Sequence, residues 1–218
     1  MKVAVDIVIF TIQAGVLKAL LVKRLIPPFE GQFALPGGFV LKDEDLDQAA
    51  LRELREETGI GDVYLEQLYS FGSPDRDPRG RIVSVAYFAL VSADRQLHAG
   101  SDAAEAQWFP VSKMPQLAFD HAEIFEYAIE RLRNKLEYTT VGFQLLPEKF
   151  TLTELQTVYE AILEKTLDKR NFRRKIAQLK ILKPLREFQH GGQRPAQLFK
   201  FVATKFEKLK DKGILFPF

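Results

Sequence analysis

Residues 38 to 60, "GFVLKDEDLDQAALRELREETGI", hold a stretch that reads as an amphipathic helix: on it Ala49, Ala50 and Leu54 gather on one side, a small-residue face suited to close packing. On the other side Glu53 and Glu57 fall one turn apart, with Glu56 beside them. Like charges at that spacing repel by about 0.2 to 0.5 kcal/mol per pair. A hard divalent cation reverses the repulsion, because three carboxylates can converge on it, and Mg²⁺ accepts one to three of them beside water and phosphate oxygens. The preceding "LPGGF" permits a turn that brings the carbonyl of Gly37 or Gly38 near such a cation. Charge alone also fits a solvated acidic helix face, so the spacing by itself leaves both readings open.

The surrounding sequence supplies a sheet for this helix to pack on. "KVAVDIVIFT" and "VLKALLVKRL" flank "IQAG" as a hairpin, "RIVSVAYFALV" reads as a further strand, and "AEAQWFPV" as one stopped by Pro110. Residues 120–135 follow helical spacing at Ile124, Phe125, Ala128, Ile129 and Leu132. The pattern is α/β. No cysteine is present, which removes disulfides and thiolate metal sites and suits a reducing cytoplasm. No apolar run approaches the roughly 20 residues that span a bilayer, and Asp6 interrupts what would have to be a signal peptide's core, so no membrane association is expected.

The net charge of +2 conceals two unlike parts. From Leu146 onward sixteen basic residues face eight acidic ones, a net +8, while the preceding part carries −6. Two domains follow, 1–145 and 146–218, with different partners, the second suited to a polyanion. In the second, Thr151 or Thr153 can cap "TLTELQTVYEAILEK", whose stripe is Leu155, Val158, Tyr159 and Ile162, and Asp168 can cap "KRNFRRKIAQLK". Phe172, Ile176 and Leu179 make a narrow buried stripe there, leaving Arg170, Asn171, Arg173 and Arg174 free. Arginine suits guanine edges and asparagine adenine; Lys169, Lys175 and Arg194 would add phosphate contacts. "ILKPLREFQ", "HGGQR" and "PAQLFKFV" follow as strand, glycine turn and strand, and "ATKFEKLKDKG" as a closing helix. Helix, turn, basic helix and β-ribbon is the order of a winged helix-turn-helix.

The run from Gly38 to Ile60 resembles the Nudix box, G-x5-E-x7-R-E-U-x-E-E-x-G-U, with Gly38, Glu44, Arg52, Glu53, Leu54, Glu56, Glu57, Gly59 and Ile60 at the specified positions. The resemblance implies an α/β/α sandwich, Mg²⁺ or Mn²⁺ held by Glu53, Glu56 and Glu57, and an Arg52–Glu44 ion pair bracing the loop. It also implies hydrolysis of a nucleoside diphosphate linked to another group by metal-activated water. "SPDRDPRGRIVSVAYFAL" and "LAFDHAEI" are similar to the ADP-ribose-type branch. On charge, Arg76, Arg79 and Arg81 suit phosphates or a ribose, and equally a charged hairpin tip in solvent; His121, at a helix start, fits a ligand contact or a structural role.

The basic tail closely resembles the C-terminal winged helix of NrtR-type regulators, so likeness covers nearly the whole chain. That family implies a homodimeric DNA-binding regulator on a double-stranded operator. Its Nudix domain would sense ADP-ribose or a related sugar nucleotide, in NAD or pentose metabolism, and the uneroded box would permit hydrolysis. The alternative is an ADP-ribose pyrophosphatase whose tail is structural or dimerising.

Overall fold

The computed structural model describes residues 1–59, 61–94, 106–190 and 195–210. They form two compact units, one from Met1–Val91 and the stretch ending at Arg131, the other from Leu132 onward with Ser92–Asp94.

The first unit is organised by β1 (Lys2–Gln13), buried along most of its length. Alternation divides its side chains between two covered faces. Val5, Ile7 and Ile9 cluster with Ala49, Ala50 and Leu54 of α1 (Leu46–Thr58). On the opposite face Phe10 meets Phe125 of α2 (His121–Leu136), their ring centroids 6.2 Å apart. Helix, sheet and helix make the expected α/β/α sandwich. Asp6 falls on the α2 side, in phase with Phe10.

β1 turns into β2 (Val16–Lys23) through Ala14 and Gly15, whose φ of 50° and 76° are both positive, as a two-residue hairpin that matches strand twist requires. β6 (Ile82–Leu90) lies parallel to β1, and β5 (Tyr64–Phe71) pairs antiparallel with β6 at the sheet edge. β7 (Ala106–Pro110) pairs with the outer side of β2. β3 (Phe33–Ala34) joins the end of β2, and β4 (Gly37–Phe39) takes the first half of β1 at Ala4–Asp6. β2 pairs with the other half of β1, at Phe10–Gln13. The strands β2 and β4 therefore occupy different halves of β1, and a cleft opens beside them.

The second unit holds a three-stranded sheet ordered β8 (Phe150–Thr151), β10 (Ala196–Phe201), β9 (Leu182–Gln189), with α3 (Leu152–Leu163), α4 (Lys169–Leu179) and α5 (Ala203–Lys210). Thr151 caps α3 in a reciprocal capping box with Glu154, and Asp168 caps α4 by accepting from the Asn171 N–H at 2.7 Å. The turn between these helices is fixed by Gln156 and Glu160, which bond the Leu167 carbonyl and N–H respectively. Tyr159 and Phe172 meet edge to face in the core. This is the winged helix expected from the sequence. Arg194, assigned to the wing, lies outside the described residues, as does Ile60 of the box. No helix among the described residues is long and apolar enough to cross a membrane.

Candidate functional site

α1 is held at both ends. Asp45 and Gln48 form a capping box, and Gly59, at φ 71°, returns its N–H to the Arg55 carbonyl. Arg52 ties the helix to the loop before it. Its Nη2 donates to Glu44 Oε1 at 2.7 Å and to the Phe39 carbonyl at 3.2 Å, and its Nε to Glu44 Oε2 at 3.0 Å. Glu44 also accepts from the Leu41 N–H at 2.8 Å. The bond to Arg52 holds the Glu44 carboxyl below its ordinary range. Fork-to-fork pairing of this kind fixes direction as well as charge.

The glutamates that share α1 differ in environment. Glu53 is buried, and its Oε1 accepts from Arg52 Nη1 at 2.7 Å; the same nitrogen reaches Glu56 Oε2 at 3.2 Å. Burial pushes the Glu53 carboxyl up despite Arg52. Glu57 is pushed up to about 7, by burial first and then by the charges of Glu53 and Glu56. Its Oε2 is buried and unpartnered among the described residues. As the side chains stand, no three His, Cys, Asp or Glu residues among those described form a metal-holding group, since Arg52 engages Glu53 and Glu56.

The donor set nonetheless fits a hard cation: three carboxylates, one with an orphaned buried oxygen that water does not reach. Gly38 makes room for it. A Cβ there would stand 2.1 Å from Glu53 Oε1, so any larger residue would push this carboxylate from its place against β4.

Beside the carboxylates the first unit opens into a cleft of about 370 Å³, within the range of small-ligand sites. Glu57, Gly37, Gly38 and Phe39 line one part, and Arg24, Ile26, Arg79, Phe119, Asp6 and His121 others. Phe119 sits at φ 54°, a left-handed conformation costing on the order of 1 to 3 kcal/mol for such a residue. Its ring meets Phe29 edge to face at 4.8 Å. Arg24 and Arg79 place their guanidinium carbons 4.7 and 5.3 Å from its centroid.

The three arginines of the "SPDRDPRGR" loop have three different positions. Arg79 lines the cleft, pairs with Asp77 at 2.6 Å and lies 5.2 Å from the Phe39 centroid. Arg76 also borders the cleft, but its guanidinium is taken up by Asp120 at 2.6 and 2.7 Å and by Asp6 at 3.3 Å. Arg81 donates to the Gly72 carbonyl, is exposed, and is not part of the cleft wall. His121 is buried; its Nδ1 accepts from the Leu35 N–H at 2.9 Å and Nε2 lies 3.5 Å from Asp6. Burial pushes its pKa down, against the pull of Asp6. The ring is therefore a neutral tie between α2 and the β3–β4 connection, with its Nε2–H toward Asp6.

Sequence reasoning missed Arg24 and Phe119. Arg24 follows β2 directly, in a segment read only as strand, and Phe119 stood in "LAFDHAEI" without being singled out. Its signal was its place just before a helix start, and nothing in the residue type disclosed the positive φ.

In the second unit, α4 exposes Lys169, Arg170 and Arg174, and Arg174 donates to the Asn171 side-chain oxygen at 2.8 Å. Lys175 is half-buried. Arg173 differs from its neighbours: its Nε is buried without a partner among the described residues, and its Nη2 reaches Thr153 Oγ1 at 3.4 Å. It lines a cleft of about 400 Å³ with Leu152, Ile176, Ala177 and Lys180, so it is less free than the helical spacing suggested.

Residues 1–128 match the NUDIX domain, and residues 142–201 match the NrtR DNA-binding winged helix domain. Over 207 residues the chain is 39% identical to the ADPR responsive transcriptional repressor NtrR of Acinetobacter baylyi, covering 93% of this chain and 83% of that one. The chain belongs to the NrtR family. Shewanella oneidensis NrtR in complex with a 27mer DNA superposes with a TM-score of 0.83 at 38% identity, covering 94% of this chain and 95% of that one. The NUDIX domain of the same NrtR, complexed with ADP ribose, matches with a TM-score of 0.56 at 41% identity over 61% of this chain and 88% of that one. The Nudix half is also 47% identical over 109 residues to an ADP-ribose pyrophosphatase of Methanocaldococcus jannaschii, covering 50% of this chain and 64% of that one. Nudix pyrophosphatases of this kind work with divalent metals.

Proposed function

We propose that this NrtR-family chain is a DNA-binding transcriptional regulator whose Nudix domain binds ADP-ribose, acting in the cytoplasm as a homodimer on a double-stranded operator. The carrying observation is the presence, in one chain, of a cleft lined by Glu57, Arg24, Arg79 and Phe119 and a capped helix that turns Arg170 and Arg174 to solvent. The first suits a ligand that combines phosphates with flat or apolar parts; the second suits the major groove. A dimer sets two such helices about one DNA turn, roughly 34 Å, apart on a palindrome. The domains carrying these roles are 1–145 and 146–218, and the genes governed belong to NAD or pentose metabolism.

A second reading, hydrolysis of ADP-ribose to AMP and ribose 5-phosphate, is favoured by the complete carboxylate set. Glu53, Glu56 and Glu57, with the Gly38 backbone, would hold Mg²⁺ or Mn²⁺. When bound, such a cation supplies a water acidic enough to attack phosphorus. For this chain's own part, Arg52 and Glu44 position the helix, and Arg79 beside Phe119 meets the ligand. Titration calorimetry of the full chain with ADP-ribose, with AMP release followed in parallel by chromatography, tests both. Binding with AMP release supports an enzyme that senses, binding alone a sensor, and absence of binding overturns both.

A further inference from the structure

The charges around the cleft do not balance in the same way at each arginine. Arg76 meets two carboxylates and Arg79 meets Asp77. Arg24 meets none: its Nε donates to the Pro28 carbonyl at 2.8 Å and its Nη2 to the Ile26 carbonyl at 3.3 Å, with no salt-bridging carboxylate among the described residues. A guanidinium has five N–H donors. Two are spent on main-chain oxygens, which carry no compensating charge.

The placement makes this cation costly to leave alone. Arg24 is half-buried at the end of β2, and its carbon stands 4.7 Å from the Phe119 centroid, the ring that Arg79 also approaches. Burial first, and then the charge of Arg79, lower its pKa against the weaker pull of Asp77, which pairs directly with Arg79 and not with Arg24. Phe119 offers both guanidiniums a face that attracts them without neutralising them. Elsewhere on the same cleft Glu57 shows the converse, a carboxyl oxygen buried without a donor among the described residues. The cleft thus holds a guanidinium with no salt-bridging partner at Arg24 and a carboxyl oxygen with no donor at Glu57, both among the described residues.

We propose that Arg24 is the anion receptor of the cleft and a determinant of its ligand specificity, taking a phosphate of the bound sugar nucleotide beside Arg79 on the Phe119 ring. The proposal rests on the reading that this cleft binds ADP-ribose and adds the residue that selects its phosphates. Arg24 has a second, structural duty in anchoring the Ile26–Pro28 carbonyls, so its test must separate charge from loop support.

Calorimetry on the full chain with ADP-ribose and with uncharged adenosine makes that separation, using wild type, Arg24→Gln and Arg24→Lys, each verified to melt as a folded protein. Losing a charge-assisted bond should weaken ADP-ribose binding about 10-fold to 100-fold in Arg24→Gln. Arg24→Lys should fall between Arg24→Gln and wild type, and adenosine binding should be unmoved in all three. ADP-ribose affinity that is unchanged in Arg24→Gln overturns the proposal. So does a parallel loss for both ligands, which would make Arg24 a loop anchor only. Wild-type protein that binds no ADP-ribose overturns the underlying functional reading, and is distinguished by appearing before any substitution is made.

Discussion

Arg76 grips both oxygens of Asp120, Nε to Oδ2 at 2.7 Å and Nη2 to Oδ1 at 2.6 Å, and joins the loop before β6 to the start of α2. Its side chain is 3% exposed, so this pair belongs to the interior and governs stability before ligand binding. Removing one partner of a buried pair strands the other charge at about 3 to 5 kcal/mol.

Arg76→Ala is therefore expected to lower unfolding free energy by about that amount in a urea titration, since Asp120 and Asp6 lose their shared cation. Arg81→Ala, exposed and with its side chain bonded, among the described residues, only to the Gly72 carbonyl, should stay within about 0.5 kcal/mol and leave ADP-ribose affinity unchanged. Equal effects of the two substitutions would contradict the assignment of Arg76 to the framework.

The raised pKa of Glu57 gives a pH dependence of definite sign. An acid near 7 when folded, against about 4.3 unfolded, binds more protons in the folded state between those values. Its contribution to stability without metal therefore falls as pH rises through that window. Glu57→Gln should flatten the decline in thermal melts from pH 5 to 8. Because a cation must displace that proton, Mg²⁺ should raise the melting temperature of wild type more at pH 8 than at pH 6, and of Glu57→Gln hardly at all. Gly38→Ala should lose the same response by another route, through its clash with Glu53. A magnesium response that persists in both variants would place the cation away from α1.

On α4, Arg170→Ala or Arg174→Ala should weaken operator binding by about 1 to 3 kcal/mol if either reads a base edge, with melting unchanged. Lys169→Ala should weaken all DNA alike and reduce the salt slope by about 0.9. Arg173→Ala should instead lower the melting temperature by a few degrees, about 4 °C or more per kcal/mol in a unit this small, with operator discrimination kept. Parallel melts and binding curves on the same preparations decide between these roles.

What was legible in the sequence was what depends on near neighbours. α3 and α4 announce themselves through cap residues, Thr151 or Thr153 for the first and Asp168 for the second, and all three helices through apolar residues at helical spacing, whereas the Asp45 cap of α1 emerged only from the structure. β3 and β4 are two and three residues long and exist only because β2 and β1 supply partners, so no local pattern marks them. The same holds for the cleft. Arg76, Arg79 and Arg81 are alike in type and close in sequence, and only the positions of Asp120, Asp77 and Gly72 separate an interior ion pair from a cleft wall and an exposed tie. Arg24 was missed because its role depends on Phe119, ninety-five positions away, and not on the residues around it.

A regulator of this kind reads ADP-ribose and DNA with one chain, and each ligand alters the binding of the other. Linkage makes this measurable, because an effector shifts an equilibrium only by its difference in affinity for the two states. The most direct test is fluorescence anisotropy of the full-length protein on a labelled fragment from upstream of its own coding sequence, titrated across salt concentrations with and without ADP-ribose. Binding should depend on salt, with a midpoint that moves by roughly 5-fold or more when ADP-ribose is added. Anisotropy that never rises, or a midpoint indifferent to millimolar ADP-ribose, would contradict it.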